Sequence, residues 1–194
     1  MSAREQILQK IKQNQATKTD LPDLTTLIEN QENLASKFKE MLESIGGHTM
    51  SVNSMAEIKE ILLKEYPNAQ RVIKHQVPEI DLGEQNWQNS DPHSLQNVDL
   101  TILKGHFGIA ENGSIWLTES LMGQRVAPFI TQYLVVVLET KNLVPTMHHA
   151  YQKIKNEDYG YGIFLAGPSK TADIEQSLVL GAHGARGLLV FLVN

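Results

Sequence analysis

Three glycine-bearing polar turns carry the residues best suited to chemistry. The first is Glu111-Asn112-Gly113, set between Ile109-Ala110 and Ile115-Trp116-Leu117. Gly113 can take φ > 0, and Asn112 tolerates the left-handed region better than most residues. A sharp turn here holds the Glu111 carboxylate at the rim of a sheet, as nucleophile, base or ligand anchor. The plain alternative is a solvated β-turn. The second turn, Gly167-Pro168-Ser169-Lys170-Thr171, follows an apolar run and precedes a helical signal, with Thr171 as N-cap and Asp173 and Glu175 in the first helical turn. Its backbone N–H groups can cradle a phosphate or carboxylate, with Lys170 adding a cation. Its spacing is neither a P-loop nor GxGxxG, and a bare strand-to-helix connection needs no ligand. In the third turn, spanning 181–187, Arg186 can clamp a carboxylate and His183 can exchange protons near neutral pH, with Gly184 between them. The alternative is that both cations cap a helix C-terminus.

Other candidates are weaker. His148 and His149 are adjacent, so on a helix their rings point to different faces, and His106 stands near Glu111 without any ligand set of metal spacing. Ser114 lacks a GxSxG context. Trp87 and Trp116 read as loop and core packing. No metal or cofactor is expected.

The elements that must position these turns follow from periodicity. Residues 3–13 carry Ile7, Leu8 and Ile11 at helical spacing, and 15–22 read as a linker ending in proline. A second helix is expected over 27–45, with Leu34, Phe38, Met41, Leu42 and Ile45 on one face and Gly46-Gly47 ending it. Ser54-Met55-Ala56-Glu57 has the pattern of a capping box, opening a helix to about residue 65 with Ile58, Ile61 and Leu62 buried. Further helices are expected over 145–155, with Met147, Ala150, Tyr151 and Ile154 on its buried side, and from Thr171 to Leu180. Strands are expected at 48–52, 71–73, 98–103, 133–138, 161–166 and 188–193. Residues 77–94 form a loop or lid, and a long loop in a compact domain hints at function. The alternation predicts an α/β domain with a mostly parallel sheet, whose ligands bind outside the carboxyl ends of the strands. The three turns are therefore expected to wall one cleft, Glu111 opposite 167–173 and 183–186.

Composition narrows the class. A net charge of −5 with no basic patch argues against nucleic-acid binding. The absence of cysteine excludes disulfides and thiolate-held zinc or iron–sulfur clusters within this chain. Residues 1–13 lack the apolar core of a signal peptide, and no apolar run exceeds six residues by much, so a cytoplasmic protein without membrane contact is expected. Self-association stays open.

The segments GIAENGSIWL and GPSKTADIEQSLVLGAHGARGLLVFLV resemble the LUD family, the lactate-utilisation protein C group. The resemblance covers approximately 34–194 and is weak across 77–94. It implies a NagB/RpiA/CoA-transferase-like fold, a three-layer α/β sandwich over residues 23–194 preceded by an N-terminal helix and linker at 1–22. It also implies a role in bacterial oxidation of L-lactate to pyruvate beside iron–sulfur partner proteins. Ala110-Glu111-Asn112-Gly113 is similar to the S-E-N-G turn of class I CoA-transferases, in which the glutamate forms an acyl-CoA thioester. The sequence departs from that motif after Gly113, where Ser114-Ile115-Trp116-Leu117 stands in place of a further glycine. Three functions follow as expectations. The chain is an accessory or regulatory component binding a small carboxylate or phosphorylated metabolite, a transferase- or hydrolase-type enzyme acting through Glu111, or a structural partner without a ligand.

Overall fold

Alternation in the apolar strands decides the architecture. Along β6 (Tyr133–Glu139), Leu134, Val136 and Leu138 face one side while Val135 and Val137 face the other, and all five are buried. A strand buried on both faces belongs at the centre of a parallel sheet. The computed structural model, which describes residues 2–17, 19–20, 33–172 and 178–194, places it there. With β1 (His48–Val52), β2 (Val72–His75), β3 (Leu100–Lys104) and β11 (Gly187–Val193), it builds a five-stranded, all-parallel sheet of order β1-β11-β6-β3-β2. The α/β class with a parallel central sheet is thus as expected. The chain divides into two compact units, Met1–Asn30 and Gln31–Asn194.

One face of the central sheet is covered by α3 (Met55–Glu65), whose Ile58 and Leu62 meet Val135, Val137 and Phe191. Ser54 is the N-cap of α3 as expected, but its hydroxyl donates to the Glu57 carboxylate at 3.1 Å instead of closing a capping box. The opposite face receives α2 (Leu34–Ser44), through Phe38 and Leu42, and a second sheet of order β7-β4-β5-β8. Its strands are β4 (Phe107–Ile109), β5 (Ser114–Thr118), β7 (Leu143–Val144) and β8 (Gly162–Leu165). Every residue of β5 is buried, because Ile115 and Leu117 face the central sheet while Trp116 faces α6 (Met147–Ile154). Each such apolar side chain contributes about 1.5–3 kcal/mol of burial. On α6, Ala150 and Ile154 are buried, whereas Tyr151, expected on the buried side, is 60% exposed.

The helix expected from Thr171 is a correction. Lys170–Ala172 (β9) and Leu178–Leu180 (β10) pair as antiparallel strands, Val179 opposite Thr171. Residues 173–177, including Asp173 and Glu175, lie outside the described residues. The hairpin base is tied by Gly181 N–H to Ser169 O (3.1 Å) and Ser169 N–H to Ala185 O (2.8 Å), so tertiary pairing of Thr and Val overrides the capping signal. In the N-terminal unit, α1 (Ala3–Gln13) opens on a capping box between Ser2 and Glu5, and its stripe of Ile7, Leu8 and Ile11 is exposed.

Candidate functional site

The Glu111 turn is a structural joint. Glu111 Oε2 accepts the Met147 N–H at 2.8 Å, so the carboxylate caps the N-terminus of α6, where an acid is favoured. Asn112 Oδ1 accepts from the Ser114 N–H (3.1 Å) and the Ser114 hydroxyl (2.7 Å), closing the β4–β5 hairpin. Gly113 has φ +69°, and a Cβ there would lie 2.8 Å from the Leu42 nitrogen, so α2 can pack on this turn only over a glycine.

The second and third turns do come together in part. Gly167, Ser169, Lys170, His183 and Gly184 line a cavity of about 330 Å³, and Thr171 Oγ1 stands 3.3 Å from His183 Nδ1. The cavity opens at the amino ends of β6 and β11, against Leu134 and Leu188, not at the carboxyl ends. The reason is that β8, which leads into Gly167, runs antiparallel to β5 in the second sheet. Its floor is apolar, built from Leu134, Ile163, Leu165 and Leu188. Among the described residues it has no acid on its wall, and Lys170 makes no ion pair.

The single cleft expected from the sequence is therefore divided. Glu111 is not on this cavity's wall, and Asn112 and Gly113 are absent from it as well. Arg186 faces a separate cavity of about 290 Å³ with Tyr66 and Tyr133. Its guanidinium donates to the Tyr133 hydroxyl at 2.8 Å and lies 4.9 Å from that ring. Burial pushes the Tyr66 phenol up to about 12. His148 and His149 diverge on α6, His149 Nδ1 standing 2.9 Å from Thr146 Oγ1. Among the described residues, no group of three His, Asp or Glu could hold a metal ion.

Sequence reasoning missed a larger cavity, about 1010 Å³, at the carboxyl end of β2. Gln88, Ser90, Glu119, Ser120, Arg125 and Asp158 are on its wall. Behind it, His75 Nδ1 accepts from the Gln88 amide (3.0 Å) and its Nε2–H donates to Ser120 O (3.0 Å). The Gln124 amide donates to the carbonyls of Gln88 and Ser90, both at 2.9 Å, pinning loop 77–94 to the segment between α4 (Glu119–Met122) and α5 (Ala127–Ile130). Gly123 there has φ +73°, and a Cβ would lie 2.9 Å from the Trp87 ring. Arg125 is paired with Glu119 at 2.7 Å and lies 5.0 Å from the Tyr161 ring. His106, half-buried, has Nε2 2.7 Å from Thr118 Oγ1, and desolvation holds its imidazole below the ordinary 6.5. The available signal was the long polar loop 77–94, whose Trp87 is buried beneath this wall with its indole N–H on Lys74 O.

Comparison with known proteins agrees with this architecture. The chain is similar to a DUF162 family protein from Deinococcus radiodurans of known structure, at TM-score 0.67 and 19% identity over 86% of this chain and all of that one. It is 29% identical over 145 residues to lactate utilization protein C of Bacillus subtilis, covering 71% of this chain and 57% of that protein. It is also 31% identical over 100 residues to an uncharacterised protein of Neisseria meningitidis, covering 50% and 43%. The chain thus spans about half the length of the curated relatives it matches. No helix among the described residues is long and apolar enough to cross a membrane. The LUD domain model matches residues 3–193, nearly the whole chain, and the chain belongs to the LUD-domain family.

Proposed function

We propose that the chain serves in lactate utilisation as a component that binds a small carboxylate in the amino-end cavity. The observation that carries this reading is Lys170, a cation without an ion pair among the described residues, at the rim of a cavity with an apolar floor. A three-carbon 2-hydroxy or 2-oxo acid has matching halves. Its carboxylate pairs with the ammonium, and its methyl group lies on Ile163 and Leu165. His183, hydrogen-bonded to Thr171, offers a ring nitrogen to the oxygen at carbon 2. A phosphorylated acid would engage the same cation. The direction toward lactate comes from the names of relatives in Bacillus subtilis and Geobacillus thermodenitrificans, both lactate utilization protein C. Electron transfer belongs to iron–sulfur partner proteins in this reading, since a chain without cysteine offers no thiolate to a cluster.

Thermal-shift titration with L-lactate, pyruvate and the uncharged lactamide tests it. Both acids raise the melting temperature, lactamide does not, and the rise disappears in Lys170→Ala. At about 100-fold excess over Kd the stabilisation is about 2.7 kcal/mol. No shift with any of these acids contradicts the proposal.

A further inference from the structure

A hydrogen-bond line that carboxylate binding at Lys170 does not use ends on the wall of the carboxyl-end cavity, at Ser120. His106 Nε2 stands 2.7 Å from Thr118 Oγ1, and Thr118 Oγ1 stands 2.8 Å from Ser120 Oγ. Ser120 is exposed on the cavity wall, Thr118 is 3% exposed, and His106 is half-buried. Thr118 occupies the N-cap position of α4, yet its hydroxyl caps no backbone N–H and is committed to His106 and Ser120 instead. A residue serving only to start the helix would spend that oxygen on the first turn.

We propose that Ser120 Oγ is a nucleophile for acyl transfer, with His106 acting as its base through Thr118. The substrate class is an ester or thioester of a small acid. As the bond from Ser120 Oγ to the acyl carbon forms, the Oγ proton passes to Thr118 Oγ1, and the Thr118 proton passes to His106 Nε2. Breaking the bond from the acyl carbon to its alkoxide or thiolate expels the leaving group, which takes the proton back along the same line. The step requires the His106 tautomer with its proton on Nδ1. The charges facing His106 are Lys104, Lys153 and Glu157, but desolvation is the largest influence and holds its pKa below the ordinary value, favouring the neutral ring. Arg125 and Glu119 share the cavity wall with Ser120, the guanidinium held by the Glu119 carboxylate at 2.7 Å.

The test incubates the full chain with p-nitrophenyl acetate and, separately, with acetyl-CoA, and reads acetylation of the Ser120 peptide by mass spectrometry. One acetyl group on Ser120 is expected, absent in Ser120→Ala. Labelling slows roughly 100-fold in His106→Gln and Thr118→Val and recovers in Thr118→Ser. In the wild type, the labelling rate stays level as pH falls through 6.5 and drops only below it, because the base titrates below its ordinary value. Circular dichroism confirms that each variant is folded; if His106→Gln is not, Thr118→Val and the pH profile decide. Folded protein that takes no acetyl on Ser120 from either reagent overturns the proposal. Labelling that Thr118→Val leaves unchanged overturns it equally.

Discussion

The two cavities at opposite ends of the central sheet are built on opposite principles. The amino-end cavity is small, apolar at its floor and carries Lys170 with no acid on its described wall. The carboxyl-end cavity is about three times larger, and its guanidinium is already paired with Glu119. A cation with no ion pair among the described residues, above an apolar floor, selects charge, since a small anion meets little competition from that described wall. A wall whose guanidinium is paired with Glu119 and which also carries Asp158 does not favour anions, but the hydroxyls and two histidines behind it can move protons. The difference follows from how each is held. Among the described residues, the backbone ties Ser169–Ala185 and Gly181–Ser169 and the Thr171–His183 contact close the first, whereas buried Trp87 and half-buried Gln124 and His75 hold the second through side-chain hydrogen bonds.

Substitution at the glycines should expose that contrast most strongly. Gly123→Ala places a side chain at positive φ against the buried Trp87 ring, and should cost about 3 kcal/mol in urea denaturation. Gly184→Ala meets Ser169 Cβ at 3.2 Å on a more exposed wall, and should stay within about 1 kcal/mol of wild type. Equal losses would remove the distinction between a locked and a tolerant wall. The charge contrast is tested next. Lys170→Ala should weaken L-lactate binding about tenfold or more by calorimetry, the loss of one charge-assisted contact.

Smaller effects separate the Glu111 turn and the histidine line from the anion site. Glu111→Ala uncaps α6 and should cost about 1 kcal/mol of stability while leaving L-lactate affinity unchanged. A loss of affinity instead would return Glu111 to the ligand site. For His106, the folded pKa lies below the unfolded 6.5, so its neutral form stabilises the fold above pH 6.5 and that contribution is lost as pH falls through the lowered value. His106→Gln should therefore show a shallower fall in melting temperature below pH 6.5 than the wild type.

The parallel sheet was legible because its signal is local. The runs at 133–138 and 188–193 are short, apolar and bounded by polar turns, and each became a strand of the central sheet. Gly113 and Asn112 were likewise legible as a turn, though not as the seat of α2 and the closure of a hairpin. The second sheet was not visible as a separate layer, because pairing Trp116 with Phe164 joins segments far apart in sequence. Lys170–Leu180 misled because Thr171 followed by acids is a capping signal, and only the ties from Ser169 to Ala185 and Gly181 make it a hairpin. Glu119, Ser120 and Arg125 carry no motif, and they gain meaning only once loop 77–94 is folded against them.

The most direct test of the anion site is a titration of the isotopically labelled chain with L-lactate, followed by amide NMR shifts. The account predicts saturable shifts at Ser169, Lys170, His183 and Gly184, with Ser120, Gly123 and Arg125 unmoved. Shifts concentrated at the carboxyl-end residues, or none at all, would contradict it.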